Sequence, residues 1–93
     1  MTTDQNTKIQ TIVHYYSPLY QKQKAIEEFI ELIEVIIKDI TKNNCQRTEL
    51  LSEIADASVM LEELKLIYGL NQKDITKEIN NKLNRQIDRI SKL

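Results

Sequence analysis

Only one glycine and one proline interrupt the chain, and this scarcity of helix-breaking residues constrains the fold more than any other feature. Pro18 and Gly69 are the two residues in question, in a sequence of 93 residues of which 41% are apolar. Both residue types are strongly disfavoured inside helices. The long stretches between them are rich in Glu, Lys, Ile and Leu, which is typical of helical proteins. The sequence therefore predicts one all-α domain over residues 1–93, small for burying a core of its own.

Local signals divide the chain into four expected helices, which we place over about residues 4–16, 18–41, 48–68 and 72–91. Ser17 is a suitable N-cap for a helix with Pro18 at its first position. Gly69 is well placed to end the third helix in a left-handed conformation, and Asn71 is a suitable cap for the fourth. The polar segment 42–47 is short enough to return the chain antiparallel. We therefore expect an antiparallel helical bundle.

Charge and apolar patterning exclude several classes of partner. The net charge of −1 gives no bulk electrostatic reason to bind nucleic acid or an anionic membrane. No apolar run is long enough to span a bilayer, and the first ten residues lack the apolar centre of a signal peptide. The single Cys45 cannot form an intramolecular disulfide, which suits a reducing compartment. We expect a cytoplasmic protein with no membrane or nucleic-acid partner.

Two acidic pairs lie among the apolar residues of the second and third expected helices. Glu28 and Glu31 form one pair, and Glu53 and Asp56 form the other. At about 100° per residue, Glu28 falls between Leu32 and Val35, and Glu31 lies on the same side one turn along. The rest of this helix carries a broad apolar arc of Ile26, Phe29, Ile30, Ile33, Ile36, Ile37 and Ile40.

The projection of the third helix places Glu53 near the middle of an apolar face, and Asp56 at its margin. We therefore expect Glu53 to be the most deeply buried of the four carboxylates. If the two helices pack antiparallel, all four can converge on one pocket. Burying like charges together is costly, and a hard divalent cation with oxygen ligands is the simplest compensation. The pattern predicts a metal site formed by Glu28, Glu31, Glu53 and Asp56.

A stripe of basic residues occupies the last expected helix. Lys82, Arg85 and Arg89 are spaced by three and four residues, so they project on one side of the helix. Arginine suits bidentate phosphate contacts, and lysine acts as a point charge. The stripe is a candidate phosphate-binding surface. The simpler explanation, solvated basic residues favoured near a helix C-terminus, stays open.

The acidic motifs resemble a known pattern. Glu27-Glu28-Phe29-Ile30-Glu31, a gap of 21 residues and Glu53-Ile54-Ala55-Asp56 are similar to the EExxE and ExxD motifs of the MazG-like all-α nucleoside triphosphate pyrophosphohydrolases. The resemblance is strongest to the small single-domain members found in phages and related mobile elements, and it covers nearly the whole chain. The basic last helix also resembles the C-terminal helix of that family.

The resemblance implies cleavage of a nucleoside triphosphate between its α- and β-phosphates, giving a monophosphate and pyrophosphate. It implies Mg²⁺, or alternatively Mn²⁺, held by Glu28, Glu31, Glu53 and Asp56. Glu31 is the candidate general base, and Glu53 is the second residue assigned to catalysis. By the same resemblance, the basic stripe contacts phosphates. The family also implies a homodimer or homotetramer in which subunits complete a four-helix core.

Two other classes of function compete with this one. A di-iron or di-manganese carboxylate bundle needs E-x-x-H motifs on paired helices, and the only histidine, His14, belongs to no such motif. A non-catalytic helical oligomerisation or nucleotide-binding module is the serious alternative. Base and sugar specificity, the number of metal ions and the biological role lie beyond what the sequence indicates.

Overall fold

Four helices account for nearly all of the chain in the computed structural model, which describes residues 1–92. They are α1 (Thr3–Tyr15), α2 (Pro18–Lys42), α3 (Arg47–Ile67) and α4 (Gln72–Ser91). Every helix end lies within one residue of the expected position. No strand occurs within residues 1–92, so the all-α class is confirmed.

The predicted capping residues explain three of these helix ends. The Ser17 side chain accepts a hydrogen bond from the Tyr20 backbone N–H, with Pro18 at the first helical position. Asn71 caps α4 by accepting from the Asp74 N–H. Gly69 has a φ of 66°, the left-handed conformation expected just beyond the end of α3. The same conformation at Asn43, with a φ of 48°, ends α2 without a glycine.

Antiparallel packing of α2 against α3 forms the main body of the fold. Near the connection, Lys38 of α2 lies 3.7 Å from the Glu49 carboxylate of α3. Farther from the connection, the two acidic pairs of these helices meet. Helix α1 packs on α3, whereas α4 has no extensive contact with the other helices. Side chains at the start of α4 do reach α3, because Lys65 donates to the Gln72 side-chain oxygen.

Helix α2 carries two parallel rows of residues, and only one of them faces α3. The inner row, Gln21, Ala25, Glu28, Leu32 and Val35, is buried or half-buried. The isoleucine row, Ile26, Ile30, Ile33, Ile37 and Ile40, is between 47% and 76% exposed. Both rows repeat at spacings of three and four residues, as helix–helix contact rows do. Apart from the half-buried Phe29, the broad apolar arc identified in the sequence is therefore an outer surface of this chain.

A single chain buries very little apolar surface. The buried apolar residues are Ile9, Ala25, Val35 and Ala57, and no large side chain in the described part of the chain is fully enclosed. The radius of gyration is 16.2 Å, against about 12 Å for a compact domain of this length. On α4, Ile79, Leu83, Ile87 and Ile90 are exposed as well. The fold leaves its most apolar faces uncovered.

Candidate metal centre

Four carboxylates converge where the middle of α2 crosses α3. Glu28 and Glu31 come from α2, and Glu53 and Asp56 come from α3. Each offers one oxygen, and these oxygens all lie within 4.8 Å of one another. The i, i+3 spacing on each helix stacks the two members of a pair on one side, and antiparallel packing turns the pairs toward each other. The structure thus brings together all four residues predicted as metal ligands.

Two oxygens of this acidic cluster are buried and accept no hydrogen bond. They are Oε2 of Glu28 and Oε2 of Glu53. Glu28 is only 8% exposed, Glu53 is half-buried, and Glu31 and Asp56 are exposed. Buried oxygens without a donor are unfavourable, because the water they lose is not replaced. The cluster therefore has a dry inner side and an open outer side.

The negative charge at the site is only partly compensated. The charge of Glu28, followed by burial and the charge of Glu53, raises the pKa of the Glu31 carboxyl above its ordinary value. Burial, followed by the charge of Glu28, raises the pKa of Asp56. Lys24, one turn before Glu28, places its ammonium 3.2 Å from Oε1 of that residue. One cation against four carboxylates leaves the cluster able to attract another.

The donor set fits a hard divalent cation. Every candidate ligand atom is a carboxylate oxygen, and two oxygens of the cluster accept no hydrogen bond. Mg²⁺ and Mn²⁺ favour such oxygens, whereas zinc and copper sites use nitrogen or sulfur ligands. The open side, formed by Glu31 and Asp56, leaves room for oxygens from water or a ligand. The residues present therefore suit Mg²⁺, with Mn²⁺ as the alternative.

The burial order within the cluster differs from the sequence prediction. We expected Glu53 to be the deepest carboxylate, but Glu28 is buried and Glu53 is half-buried. The cause is that α3 carries apolar residues on every side, so its projection does not single out the covered face. Leu51, Ile54 and Leu61 of α3 are all about half-exposed or more. Glu28 instead lies within the α2 row that packs directly on α3.

The three predicted phosphate contacts lie apart from the cluster within one chain. Lys82, Arg85 and Arg89 are exposed on α4, a helix that packs extensively against neither α2 nor α3. Among the described residues, no ion pair joins them to the carboxylates. A cation close to the site comes from Lys24, which the sequence reasoning did not single out. Its position four residues before Glu28 was the available signal.

Two further buried polar residues were also missed. Gln21 is 3% exposed, and its amide nitrogen donates to the backbone carbonyls of Val13 and Tyr16, at 3.1 and 2.9 Å. Glu63 of α3 is likewise 3% exposed, and burial raises the pKa of its carboxyl. The spacing of Gln21 and Glu28, seven residues apart in one row, could have indicated the buried position of Gln21. The same seven-residue spacing relates Glu63 to Asp56, whereas Glu62 projects on the opposite side of α3 from Glu53.

Comparisons with protein-family models, with curated proteins and with solved structures give no match to this chain. Across residues 1–92, no helix combines the length and apolar character needed to cross a bilayer. A functional interpretation therefore has to come from the residues and their arrangement.

Proposed function

We propose that this chain is a Mg²⁺-dependent nucleoside triphosphate pyrophosphohydrolase of the MazG-like all-α type. The observation that carries the proposal is the convergence of Glu28, Glu31, Glu53 and Asp56 within 4.8 Å, with two buried oxygens left without a donor. The buried oxygens of Glu28 and Glu53 without a donor distinguish this cluster from carboxylates that lie wholly in solvent. Here, two helices hold four like charges together at a free-energy cost, which a bound cation and its ligand would offset.

The four carboxylates have two proposed roles, metal binding and proton transfer. Glu28, Glu31, Glu53 and Asp56 would hold Mg²⁺, which, when bound, neutralises triphosphate charge and orients the reacting phosphate. Glu31 is exposed and can meet solvent, so it is our choice for the carboxylate that accepts the proton of the attacking water. The water oxygen bonds to phosphorus as the bridging P–O bond between the α- and β-phosphates breaks. The products are a monophosphate and pyrophosphate.

A second copy of the chain is part of this proposal. The accessible surface is 7613 Å², roughly 2000 Å² more than expected of a compact monomer of this mass. That excess is of the size that subunits bury in permanent assemblies. The isoleucine row of α2 has the spacing of a helix–helix contact and is exposed in the single chain. We propose a homodimer or homotetramer that covers this row.

Phosphate binding by α4 depends on such an assembly. Lys82, Arg85 and Arg89 lie on a helix that packs along neither α2 nor α3 of its own chain. Approach of α4 from a second copy would bring their charges to a bound triphosphate. We expect Lys82→Ala to raise the KM for the nucleotide while leaving the free energy of unfolding nearly unchanged, because Lys82 is exposed. An unchanged KM in Lys82→Ala would contradict the placement of α4 at the substrate site.

The direct test is a screen of ribo- and deoxynucleoside triphosphates with Mg²⁺, in which pyrophosphate and orthophosphate are measured separately. Pyrophosphate release that requires Mg²⁺ and disappears in Glu53→Gln is the expected result. Glu78→Gln, an exposed carboxylate on α4, is the matched control and should keep full activity. Release of orthophosphate alone would indicate a different reaction, and Mg²⁺-independent activity would contradict the assigned site.

The alternative function is a non-catalytic oligomeric or nucleotide-binding module. The separation of the basic stripe on α4 from the carboxylates favours it, because one chain does not place phosphate-binding cations beside the metal ligands. Such a protein would bind Mg²⁺ and nucleotide, or assemble, without releasing pyrophosphate. Thermal unfolding with and without Mg²⁺ and nucleotide distinguishes it: stabilisation without turnover supports a binding module.

A further inference from the structure

Three tyrosines form an exposed aromatic cluster at the corner between α1 and α2. The rings of Tyr16 and Tyr20 are stacked, with centroids 4.8 Å apart and planes inclined by 22°. Tyr15 meets Tyr16 edge-on at the same centroid distance. Although aromatic rings usually stabilise a protein by being buried, Tyr15, Tyr16 and Tyr20 are 79%, 43% and 47% exposed. A flat apolar surface is therefore presented to solvent.

The corner that carries these rings is held in place by a buried side chain. The amide nitrogen of Gln21, itself 3% exposed, lies within hydrogen-bonding distance of the carbonyls of Val13, Tyr16 and Ser17. The carbonyls of Val13 and Tyr16 lie at the end of α1, where the helix offers them no backbone donor, whereas that of Ser17 also accepts from the Gln21 backbone N–H. The backbone that carries the tyrosine stack is therefore held by hydrogen bonds within the chain.

Lys24 connects the tyrosine stack to the acidic cluster. Tyr20, Gln23, Lys24 and Glu27 line one shallow groove on α2. From this groove the Lys24 ammonium reaches to 3.2 Å from Oε1 of Glu28. Tyr20 and Glu28 are eight residues apart, which is about 12 Å along the helix axis. The order along α2 is aromatic ring, then cation, then carboxylate.

The opposite side of the acidic cluster has a different character. There the groove is lined by Glu31, Glu34, Val35, Lys38, Glu49 and Glu53, with one lysine among four carboxylates. Negative charge on this side opposes the approach of an anionic ligand. The Tyr20–Lys24 side also contains Glu27, 3.5 Å from the Lys24 ammonium, but only this one carboxylate lines the groove beside the lysine and the aromatic ring. A ligand with several phosphates and a flat base is therefore better accommodated on the tyrosine side.

We propose that the stacked Tyr16 and Tyr20 bind the nucleobase of the substrate and that Lys24 contacts its phosphate chain, between the base and the carboxylates. The inference rests on the proposed function, since it takes a nucleoside triphosphate as the ligand. Stacking on tyrosine accepts any base, because every base presents a π-face. The subsite therefore predicts broad base tolerance, with the triphosphate held by charge.

Binding measurements with and without a base test this arrangement. Calorimetric titrations with Mg²⁺ would compare an α,β-methylene nucleoside triphosphate, which resists cleavage at the bond in question, with inorganic tripolyphosphate, which has no base. Tyr20→Leu should weaken binding of the nucleotide by about tenfold or more and leave tripolyphosphate binding unchanged. Tyr20→Phe retains the ring and should bind both normally. Lys24→Gln should weaken both ligands.

Three other results would contradict the base subsite, and one of them would also contradict the proposed function. If wild-type protein binds both ligands and Tyr20→Leu weakens neither, the base subsite is wrong while the proposed function stands. If wild-type protein binds neither ligand with Mg²⁺, the proposed function falls and the subsite falls with it. If Tyr20→Leu lowers the sedimentation mass and Tyr20→Phe does not, the tyrosines belong to a subunit contact and the subsite is refuted.

Discussion

Removing one charge from the acidic cluster should make the protein more stable in the absence of divalent ions. In Glu53→Gln the side chain keeps nearly the same size and loses its negative charge. The repulsion removed is that between Glu53 and Glu28, whose oxygens lie within 4.8 Å. At that separation two unit charges repel by about 1 kcal/mol in water and about 3.5 kcal/mol at an effective dielectric constant of about 20.

The expected gain lies in the lower part of this range. Glu53 is half-buried, so solvent screens part of the repulsion, and the Lys24 ammonium 3.2 Å from Glu28 already offsets some of it. We therefore expect Glu53→Gln to raise the free energy of unfolding by about 1–2 kcal/mol without divalent ions.

Urea unfolding at fixed protein concentration measures this change, with EDTA and then with increasing Mg²⁺. Wild-type protein should gain about 2.7 kcal/mol when Mg²⁺ reaches one hundred times its dissociation constant, and Glu53→Gln should gain much less. Glu78→Gln, an exposed carboxylate on α4, controls for the change in net charge. A loss of stability in Glu53→Gln with EDTA, or an equal gain in Glu78→Gln, would refute the electrostatic reasoning.

Three further predictions concern parts of the fold outside the cluster. Burial raises the pKa of Glu63, so folding favours its neutral form. The free energy of unfolding should therefore fall as pH rises from the ordinary glutamate pKa of 4.5 through the raised pKa, and Glu63→Gln should show a shallower fall in urea unfolding. The raised pKa values of Glu31 and Asp56 also make stability fall with pH, so some pH dependence should remain in Glu63→Gln. A pH dependence as steep as that of the wild-type protein would contradict the prediction. Gln21→Leu should cost about 1–3 kcal/mol because it removes the donor that holds the corner, whereas Gln23→Leu, on the exposed side of the same turn, should cost little in the same urea assay. Ile33→Glu places a charge in the isoleucine row and should lower the mass found by analytical ultracentrifugation, whereas Asn80→Glu, which adds the same charge on α4, should not.

Local chemistry made the helices and the four carboxylates predictable. Ser17, Pro18, Gly69 and Asn71 act through their own backbone preferences, which depend little on distant contacts. The convergence of the two acidic pairs followed from their spacing on each helix and from the short connection, which returns the chain antiparallel. Both inferences need only short-range geometry. This is why the sequence was sufficient for them.

The choice of which face packs inward was not predictable in the same way. The isoleucine row of α2 is the more apolar of its two rows, yet the row containing Gln21, Ala25 and Glu28 faces α3. A more apolar helix face packs more readily against another apolar surface. Its composition does not show whether that surface belongs to the same chain or to a second copy. The separation of α4 from the site depends on tertiary packing, for which no local residue pattern exists.

The two rows of α2 have a thermodynamic consequence that neither has alone. One row holds the carboxylates, and the other is the surface we assign to a second copy. If both ligands, the ion and the partner chain, favour the same straight and well-packed α2, each must strengthen the binding of the other by the same factor. The apparent affinity for Mg²⁺ would then rise with protein concentration, and chelation would loosen the assembly. Under that condition, the fraction of sites occupied by Mg²⁺ would report the number of associated subunits.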